Sequence, residues 1–404
     1  MTSAEGPLDG VRVLDLTQLL PGPYATMMLA DMGADVIKVE RPGSGEAGRQ
    51  TAPFVDGVST RHLILNRNKR SIELDLKSEA GRAAFLRLAA TADVVVEGFR
   101  PDVMKRLGLG YEELSRSFPR IVYCSIGGYA HDSTLAGHAG HDLNYLSTTA
   151  VLSLSGGRGH GPTLPPVQIA DLAGGAFPAA LAIVAALYNR LSSGTGDHIS
   201  VSIADGAFLL QVEAVAEVSG GRQPRAGATR LTGRYASYNV YTAADGVHYA
   251  LAAWEEKFWV AFCELVERPD LVTCGALEGD EGREAIEKVE ALFRSHDSGY
   301  WDHLLAGSDV CCTRIRDWDD VAQDDEFFDR GLLSRQQSSD GANHLQLGFP
   351  VSLEKTPSRL YRTAPKLGEH TDEVLAEIGL SETEIQVLER GRPPAGSFPR
   401  HSGR

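Results

Sequence analysis

The stretch "VRVLDLTQLLPGPYATMMLADMGADVIKVE", residues 11–40, decides the fold class. A β-rich run at 11–16 is followed by a helix at 21–33, which a proline begins and a glycine ends, and then by a second strand at 35–40. Strand, helix and strand in this order form a βαβ unit, from which parallel sheets are built. The sequence therefore predicts an α/β fold of Rossmann-like topology.

The same alternation of strands and helices continues along the chain. Further strands are predicted at 71–76, 93–99, 120–129 and 198–203. Further helices are predicted at 81–92, 172–191 and 204–218.

A Gly- and Arg-rich linker at 219–234 precedes a second region. That region is predicted to begin with a hairpin in 238–251 and to continue with amphipathic helices at 256–266 and 282–295. A last helix is predicted at 370–379. The Pro-, Gly- and Arg-rich tail at 391–404 is predicted to be disordered.

The charge and composition of the chain exclude several classes of partner. The 404 residues carry a formal net charge of −15, which argues against nucleic acid and anionic membranes. The longest apolar run, 172–188, falls short of the roughly 20 residues that span a bilayer. The five cysteines form no C-x-x-C pair, and their odd number is typical of reduced thiols. We therefore predict a soluble, cytoplasmic protein.

Several catalytic motifs are missing from the sequence. The first turn carries Pro21-Gly22-Pro23 where a dinucleotide-binding protein has G-x-G-x-x-G, so a nicotinamide or flavin nucleotide is not expected. There is also no G-x-S-x-G elbow, P-loop or H-E-x-x-H. These absences disfavour a serine hydrolase, an NTPase and a zincin.

A histidine and an aspartate stand side by side in "AGHDLNYLS", residues 139–147. His141 and Asp142 precede Asp171 by about 30 residues of mostly loop sequence. All three could face one cleft at the edge of the sheet, where α/β proteins place ligands. An imidazole and a carboxylate on opposite sides of one carbon could transfer a proton across it. The competing interpretation, a zinc site of His138, His141 and Asp142, lacks a well-spaced further ligand.

Asp171 occupies the position just before the apolar helix, where an N-cap is expected. The small residues that follow it would let a ligand approach the helix N-terminus. The partial positive charge of that terminus suits a developing oxyanion. Capping and catalysis both remain open for this aspartate.

Basic residues cluster at predicted strand ends despite the acidic balance of the chain. They are Arg41, the run "NRNKR" at 66–70, Lys77, Arg100, Lys105 and Arg106. Each alone is typical of a solvated surface. Together they favour a phosphorylated carrier, because arginine pairs well with phosphate oxygens.

Four stretches of the chain resemble the class III CoA-transferase family (CaiB/BaiF type), which includes the α-methylacyl-CoA racemases. They are "PLDGVRVLDLTQLLPGPYATMMLADMGADVIKVERPG" (7–43), "NRNKRSIELDLKS" (66–78), "VEGFRPDVMKRLGLGYEEL" (96–114) and "PKLGEHTDEVLAEIGLS" (365–381). The resemblance implies a Rossmann-like large domain built from both ends of the chain, a smaller α+β domain and an interlocked homodimer. It also implies an acyl-CoA substrate, with coenzyme A as part of that substrate and no other cofactor or metal.

The implied domain boundaries follow from this arrangement. The large domain would comprise 1–218 and a return segment at 329–390, and the small domain would comprise 235–328.

The resemblance also assigns roles to individual residues. Gly140 to Tyr145 match the G-H-D-x-N-Y motif of the racemases, in which the histidine and the aspartate at Asp171 are the acid/base pair. Glu255 in "AAWEEKFW" matches the glutamate that accepts a hydrogen bond from the histidine, and Asp142 is given a supporting role. The implied CoA contacts are Arg41, Leu74, Asp75, Leu76, Lys77, Gly98, Phe99, Arg100, Arg106, Gly140, Leu143, Asn144 and Tyr145.

Three functions follow from the resemblance. The favoured one is an acyl-CoA racemase that inverts the α-carbon of 2-methyl-branched thioesters through an enolate. The second is a CoA-transferase in which Asp171 forms an aspartyl-CoA thioester; the long insert at 43–65 is typical of that branch. The third is a non-catalytic acyl-CoA-binding protein.

Overall fold

A parallel sheet of six strands forms the centre of the first of two units in this computed structural model, which describes residues 6–338, 341 and 343–390. The strands of the chain are β1 (Arg12–Leu16), β2 (Asp35–Glu40), β3 (Phe54–Val55), β4 (Val58–Ser59), β5 (Lys69–Glu73), β6 (Val94–Glu97), β7 (Val122–Gly127), β8 (His198–Ser202), β9 (Tyr238–Thr242), β10 (His248–Ala252), β11 (Cys312–Arg314), β12 (Leu333–Gln337) and β13 (Asn343–Leu347). The six-stranded sheet has the order β5-β2-β1-β6-β7-β8, and every neighbouring pair is parallel. The predicted α/β fold with a Rossmann-like sheet is confirmed.

Helices connect and cover these strands. The α-helices are α1 (Pro21–Asp31), α2 (Thr60–Leu65), α3 (Glu79–Ala89), α4 (Val103–Arg106), α5 (Tyr111–Ser117), α6 (Asp142–Thr148), α7 (Phe177–Ser193), α8 (Ile203–Leu209), α9 (Val212–Ser219), α10 (Glu256–Leu265), α11 (Gly279–Arg294), α12 (Ser298–Leu305), α13 (Trp318–Val321), α14 (Asp325–Asp329), α15 (Thr371–Glu377) and α16 (Glu382–Arg390). A π-helical segment, Ala170–Ala176, leads directly into α7. Short 3₁₀ helices lie at Ala47–Gln50, Leu152–Leu154 and Pro269–Cys274.

The centre of the sheet is buried on both faces, which explains its apolar strands. Val13 and Leu14 of β1 and Val94 to Val96 of β6 have no solvent exposure. Neighbouring residues of a strand point to opposite faces, so such runs occur where helices cover both sides of a parallel sheet. Because all six strands run parallel, their carboxyl ends lie along one edge of the sheet.

The division into units differs from the sequence-based boundaries. The described part of the first unit comprises 6–149, 167–209, 325–338, 341 and 343–390, and the second unit comprises 150–166 and 210–324. The predicted helix at 204–218 is interrupted at Leu210 and Gln211, so that α8 belongs to the first unit and α9 to the second. The predicted tail at 391–404 lies outside the described residues.

The second unit contains the predicted hairpin. Strands β9 and β10 pair antiparallel, and β11 joins them in the order β11-β10-β9. The core of this unit is aromatic, with Trp259, Phe262, Phe293 and Trp301 all buried. Such large side chains supply much apolar area to a small core.

Two further expectations about helices need correction. The helix predicted at 370–379 is not the last one, because α16 follows α15. The apolar stretch near 172–188 belongs to a continuous helical stretch of 24 residues, Ala170–Ser193, which by length and composition could cross a membrane. Half of its most apolar 18-residue window is buried inside the protein.

Candidate active site

Asp171 lies within the π-helical segment and not before the helix. The residue that precedes the segment is Ile169, so the prediction that Asp171 is an N-cap was wrong. Pro178 has no N–H to donate to the turn before it, which interrupts the regular hydrogen-bond ladder close to this segment. Single π-helical turns of this kind occur frequently at functional sites.

Close packing against α8 holds the π-helical segment in place. A Cβ atom built on Gly206 would lie 2.0 Å from the carbonyl oxygen of Gly174. A Cβ atom on Gly174 would lie 2.7 Å from the backbone nitrogen of Ala207. Both positions therefore require glycine, and the two backbones touch three residues after Asp171.

The predicted oxyanion donors at this helix start are already engaged. The N–H of Asp171 donates to Oδ1 of Asp142 at 3.0 Å, and the N–H of Leu172 donates to the carbonyl of Gln168 at 3.0 Å. An amide that donates to a protein acceptor cannot also stabilise an enolate oxygen without exchanging partners. The expectation that these amides serve as free donors is therefore not supported.

The carboxyl group of Asp171 holds its proton more strongly than an ordinary aspartate. Burial, followed by the negative charge of Asp142, raises the pKa of Asp171 to about 6. His141 and Arg61 act in the opposite direction and lower it. A carboxyl group with such a pKa can both accept and return a proton near neutral pH.

The sequence motif around His141 forms a self-supporting turn. The N–H of His141 donates to Oδ1 of Asn144 at 3.0 Å, and the N–H of Asn144 donates to the carbonyl of His141 at 2.8 Å. The hydroxyl of Tyr145 donates to the carbonyl of Gly140 at 2.7 Å. His141 itself is exposed immediately before α6. Asn144 and Tyr145 therefore fix the backbone that carries the histidine.

His141 lines a cleft of about 590 Å³ along β7, which we call the β7 cleft. The residues with implied CoA contacts that also line it are Gly98, Phe99, Arg100, Gly140, Asn144 and Tyr145. Among the described residues, the lining of this cleft does not include Asp142, Leu143 or Asp171. Asp171 is instead joined to the motif by its hydrogen bond to Asp142, which directly follows His141.

A second cavity, of about 550 Å³, lies at the ends of β1, β2 and β5, and we call it the β2 cavity. Its lining includes Arg41 and the stretch from Leu74 to Lys77. Phe99 and Val103 line both the β2 cavity and the β7 cleft, so the two spaces adjoin at these residues. Arg106 lines neither and is exposed at the end of α4.

The basic run "NRNKR" is not available to a phosphate. The Nη2 of Arg67 lies 2.6 Å from Oδ2 of Asp31, and both side chains are buried. Lys69 is fully buried, 3.0 Å from Oδ2 of Asp15. Burial alone would raise the pKa of Asp15, but Lys69 and its neighbour Lys38 hold that pKa well below its usual range. These charges stabilise the fold, and their assignment to a phosphate site was wrong.

Glu255 belongs to the second unit. It precedes the first residue of α10 in extended conformation, and its side chain makes no capping hydrogen bond there. Its predicted pairing with His141 stays a prediction.

The structure adds residues that the sequence analysis did not single out. Arg61, from the 43–65 insert, lies close enough to Asp171 to lower its pKa. Glu97 and Ser125 are buried polar residues that also line the β7 cleft. The sequence did contain a signal for Glu97 and Ser125. Each is a polar residue in an otherwise apolar strand, as the stretches "DVVVEGF" and "IVYCSIGG" show.

The alternative zinc site would need a cluster of ligating side chains. In the part of the chain that the structure describes, no group of three or more His, Cys, Asp or Glu side chains is placed to hold a metal ion.

Comparison with known proteins identifies the family. The sequence profile described as CoA-transferase family III matches residues 8–371. The chain belongs to this family. Its members act on acyl-CoA substrates, and the family is enzymatic.

Relatives from two branches of the family are about equally similar. The α-methylacyl-CoA racemase of Homo sapiens is 33% identical over 94% of this chain and 96% of its own length. The succinyl-CoA:mesaconate CoA-transferase of Haloarcula marismortui is 35% identical over 93% of this chain and 97% of its own length. A CAIB/BAIF family protein from Brucella suis superposes with a TM-score of 0.79 at 28% identity, and the match covers 93% of this chain and 100% of that chain.

Proposed function

We propose that the protein is an acyl-CoA racemase that inverts the α-carbon of 2-methyl-branched thioesters. The observation that carries the proposal is the carboxyl group of Asp171, whose pKa is raised to about 6 by burial and by Asp142 while His141 acts on it from nearby. A transfer of hydrogen from one face of a carbon to the other needs two groups that each gain and lose a proton. An imidazole and a carboxyl group of raised pKa meet this requirement near neutral pH.

The two adjoining spaces support a route for the thioester. The nucleotide end of CoA would occupy the β2 cavity, where Arg41 and Lys77 are exposed and can pair with phosphate oxygens. The pantetheine arm would pass Phe99 and Val103 into the β7 cleft. The thioester would then lie at the end of that cleft where His141 is exposed.

The chemical step would proceed through an enolate. The thioester carbonyl acidifies the α-hydrogen; one of His141 and Asp171 removes it, and the other delivers a proton to the opposite face. For the return reaction the two groups exchange roles. Glu255 would orient the imidazole, and Asp142 would position Asp171 through the hydrogen bond to its backbone N–H.

A CoA-transferase is the second candidate function. It is favoured by the 35% identity to the succinyl-CoA:mesaconate CoA-transferase and by the transferase-like insert that brings Arg61 near Asp171. In that reaction the Asp171 carboxylate would attack a thioester carbonyl and expel CoA as a thiolate. The anhydride left between the donor acyl group and Asp171 would then be attacked by the CoA thiolate at the aspartyl carbonyl, which releases the donor carboxylate and forms the aspartyl-CoA thioester. An acceptor carboxylate would attack this thioester and expel CoA, and the CoA thiolate would then attack the acceptor carbonyl of the new anhydride, which releases the Asp171 carboxylate.

Hydrogen exchange in heavy water separates the two functions. A racemase incubated with one 2-methylacyl-CoA and no acceptor acid incorporates deuterium at the α-carbon, which proton NMR detects. A transferase shows no exchange under these conditions, but hydroxylamine traps its aspartyl thioester at Asp171. Absence of exchange together with trapping would replace the proposal by the transferase, and absence of both with retained binding would leave a non-catalytic binding protein.

Replacement of His141 by alanine provides a second discrimination. Exchange should fall at least about 100-fold in the racemase, because a general acid–base group contributes about 10²–10⁴-fold. An aspartyl-thioester route would largely survive the same change. His160→Ala, at an exposed position outside the residues that line the β7 cleft, is the matched control.

A further inference from the structure

One end of the β7 cleft holds a row of polar side chains, three of them buried and His198 exposed, that the proposed acid/base chemistry does not use. The row consists of Glu97 on β6, Tyr123 and Ser125 on β7, and His198 on β8, and all four side chains line the cleft. Tyr123 lies four residues before Gly127, which is roughly 13 Å along the strand. The row therefore begins well away from the strand end near His141.

The hydroxyl group of Tyr123 is the unusual member of this row. The residue is 2% exposed, and its hydroxyl oxygen is buried without a hydrogen-bond partner among the described residues. Buried hydroxyl groups almost always have a partner, because an unpaired one costs about 1–3 kcal/mol. A group that binds in the cleft could supply this partner.

The surroundings of Tyr123 restrict the chemistry of that group. The rings of Tyr111 and His198 stack at 4.7 Å, and both contact the Tyr123 ring edge-on, which forms an aromatic wall. The Glu97 carboxyl is 8% exposed and accepts the N–H of Phe99 at 2.8 Å. Burial raises the pKa of Glu97, which indicates that this end of the cleft disfavours a negatively charged group. An uncharged chain that carries an oxygen acceptor fits these conditions.

We infer that the Tyr123 end of the β7 cleft is a binding subsite for an uncharged carbonyl, amide or hydroxyl oxygen of the CoA thioester. The hydroxyl of Tyr123 donates to that oxygen, and the aromatic wall packs against the chain on either side of it. This inference rests on the proposed function, because it takes the thioester as the occupant of the cleft. Two parts of the substrate carry such an oxygen: the amides of the pantetheine arm and an oxygenated acyl chain.

Removal of the single hydroxyl group tests the subsite. Tyr123→Phe should lower affinity about three- to tenfold, the effect of one neutral hydrogen bond, in titration calorimetry. The probes are CoA, 2-methyldecanoyl-CoA and ω-hydroxy-2-methyldecanoyl-CoA. An equal loss of affinity for all three probes would show that the Tyr123 hydroxyl binds a pantetheine amide. A loss of affinity for the ω-hydroxy compound alone would show that it binds the oxygenated acyl chain. Unchanged affinity for all three overturns the subsite.

The stability of the unliganded variant supplies an independent readout. Because the Tyr123 hydroxyl has no hydrogen-bond partner in the described part of the chain, Tyr123→Phe should leave the free energy of unfolding unchanged or increase it. The matched control is Tyr241→Phe: Tyr241 is 1% exposed and its hydroxyl donates to the carbonyl of Ala236 at 2.7 Å. The control should lose stability and keep its affinity. Equal destabilisation of both variants would show that Tyr123 is already paired without ligand and would overturn the inference.

Failure of the proposed function gives a different result. In that case the wild-type protein would bind the three probes without incorporating deuterium, and the Tyr123→Phe comparison would still report on the subsite. Wild-type protein that binds none of the probes would overturn both.

Discussion

Two features of Asp171 matter for the proposed chemistry: its place in the chain and its raised pKa. The residue was singled out by its place before the apolar helix and by the family resemblance, but its raised pKa arises from burial and from the carboxylate of Asp142. The hydrogen bond between the Asp171 N–H and Asp142 holds the two residues at a fixed spacing. The same contact therefore positions the proposed base and adjusts its proton affinity.

The pH dependence of exchange should report this contact. If Asp171 must be ionised to accept the α-hydrogen, the rate falls as pH decreases through about 6. Asp142→Asn removes the negative charge but keeps an Oδ1 atom to accept the Asp171 N–H. The pKa of Asp171 should therefore decrease, and the acid limb of the rate profile should move to lower pH.

The exposed residue Asp270, which pairs with Arg268 in the second unit, is a suitable control. Asp270→Asn should leave the acid limb unchanged. An acid limb that stays near pH 6 in Asp142→Asn would show that the Asp142 charge does not act on the titrating group.

At the scale of elements, the contact between the π-helical segment and α8 places Asp171. Gly174 and Gly206 meet so closely that a methyl group on either would overlap backbone atoms. Backbone atoms cannot move aside as a flexible side chain can, so the two elements would have to separate. The packing of two helices thereby determines the location of a carboxyl group three residues away.

Gly206→Ala should therefore affect activity as well as stability. We expect a loss of about 1–3 kcal/mol in unfolding free energy from overpacking and a fall of at least tenfold in the exchange rate. The acid limb should also move, because displacement changes the burial of Asp171. Denaturant unfolding and pH-dependent exchange measure these effects.

Gly161→Ala is the matched control, because a Cβ atom at Gly161 would lie more than 4 Å from the surrounding atoms of the described residues. This variant should change neither the free energy of unfolding nor the exchange rate. A stable Gly206→Ala variant with a wild-type rate profile would mean that this packing does not position the carboxyl group.

At the scale of the whole molecule, helix α7 presents an apolar face to solvent. Leu181, Tyr188 and Leu191 are 73%, 78% and 79% exposed, and their spacing of seven and three residues places them on one side of the helix. Contiguous exposed apolar surface is typical of protein interfaces. The homodimer that the family resemblance implies stays a prediction, and we propose that a second copy of the chain covers this face in it.

Size-exclusion chromatography with light scattering tests the dimer. The wild-type protein should elute as a dimer, and Leu181→Arg combined with Tyr188→Asp should shift it to a monomer because two charges would have to be buried. Leu86→Arg, at an apolar position of α3 that is 39% exposed, is the control and should remain dimeric. A monomeric wild-type protein would contradict the proposal.

The local pattern of the sequence was sufficient to predict the central sheet. It was not sufficient to predict which charged side chains are buried. The βαβ units, the antiparallel hairpin and the motif that carries His141 depend on neighbours in the chain, and the structure contains all three. The exposed state expected for Arg67 and Lys69 was wrong, because their partners Asp31 and Asp15 are distant in sequence. Which charges are paired inside the protein is a property of the tertiary fold.

By itself the sequence determined the alternation of strands and helices and the family, because both reside in periodicity and short motifs. Only the tertiary structure decided that Asp171 lies inside a π-helical turn beside Asp142, and that the Tyr123 hydroxyl is buried with no hydrogen-bond partner among the residues that the structure describes. The physical reason is that burial and electrostatic neighbours depend on segments that folding brings together. The proton affinity of a carboxyl group follows from those surroundings and not from its place in the chain.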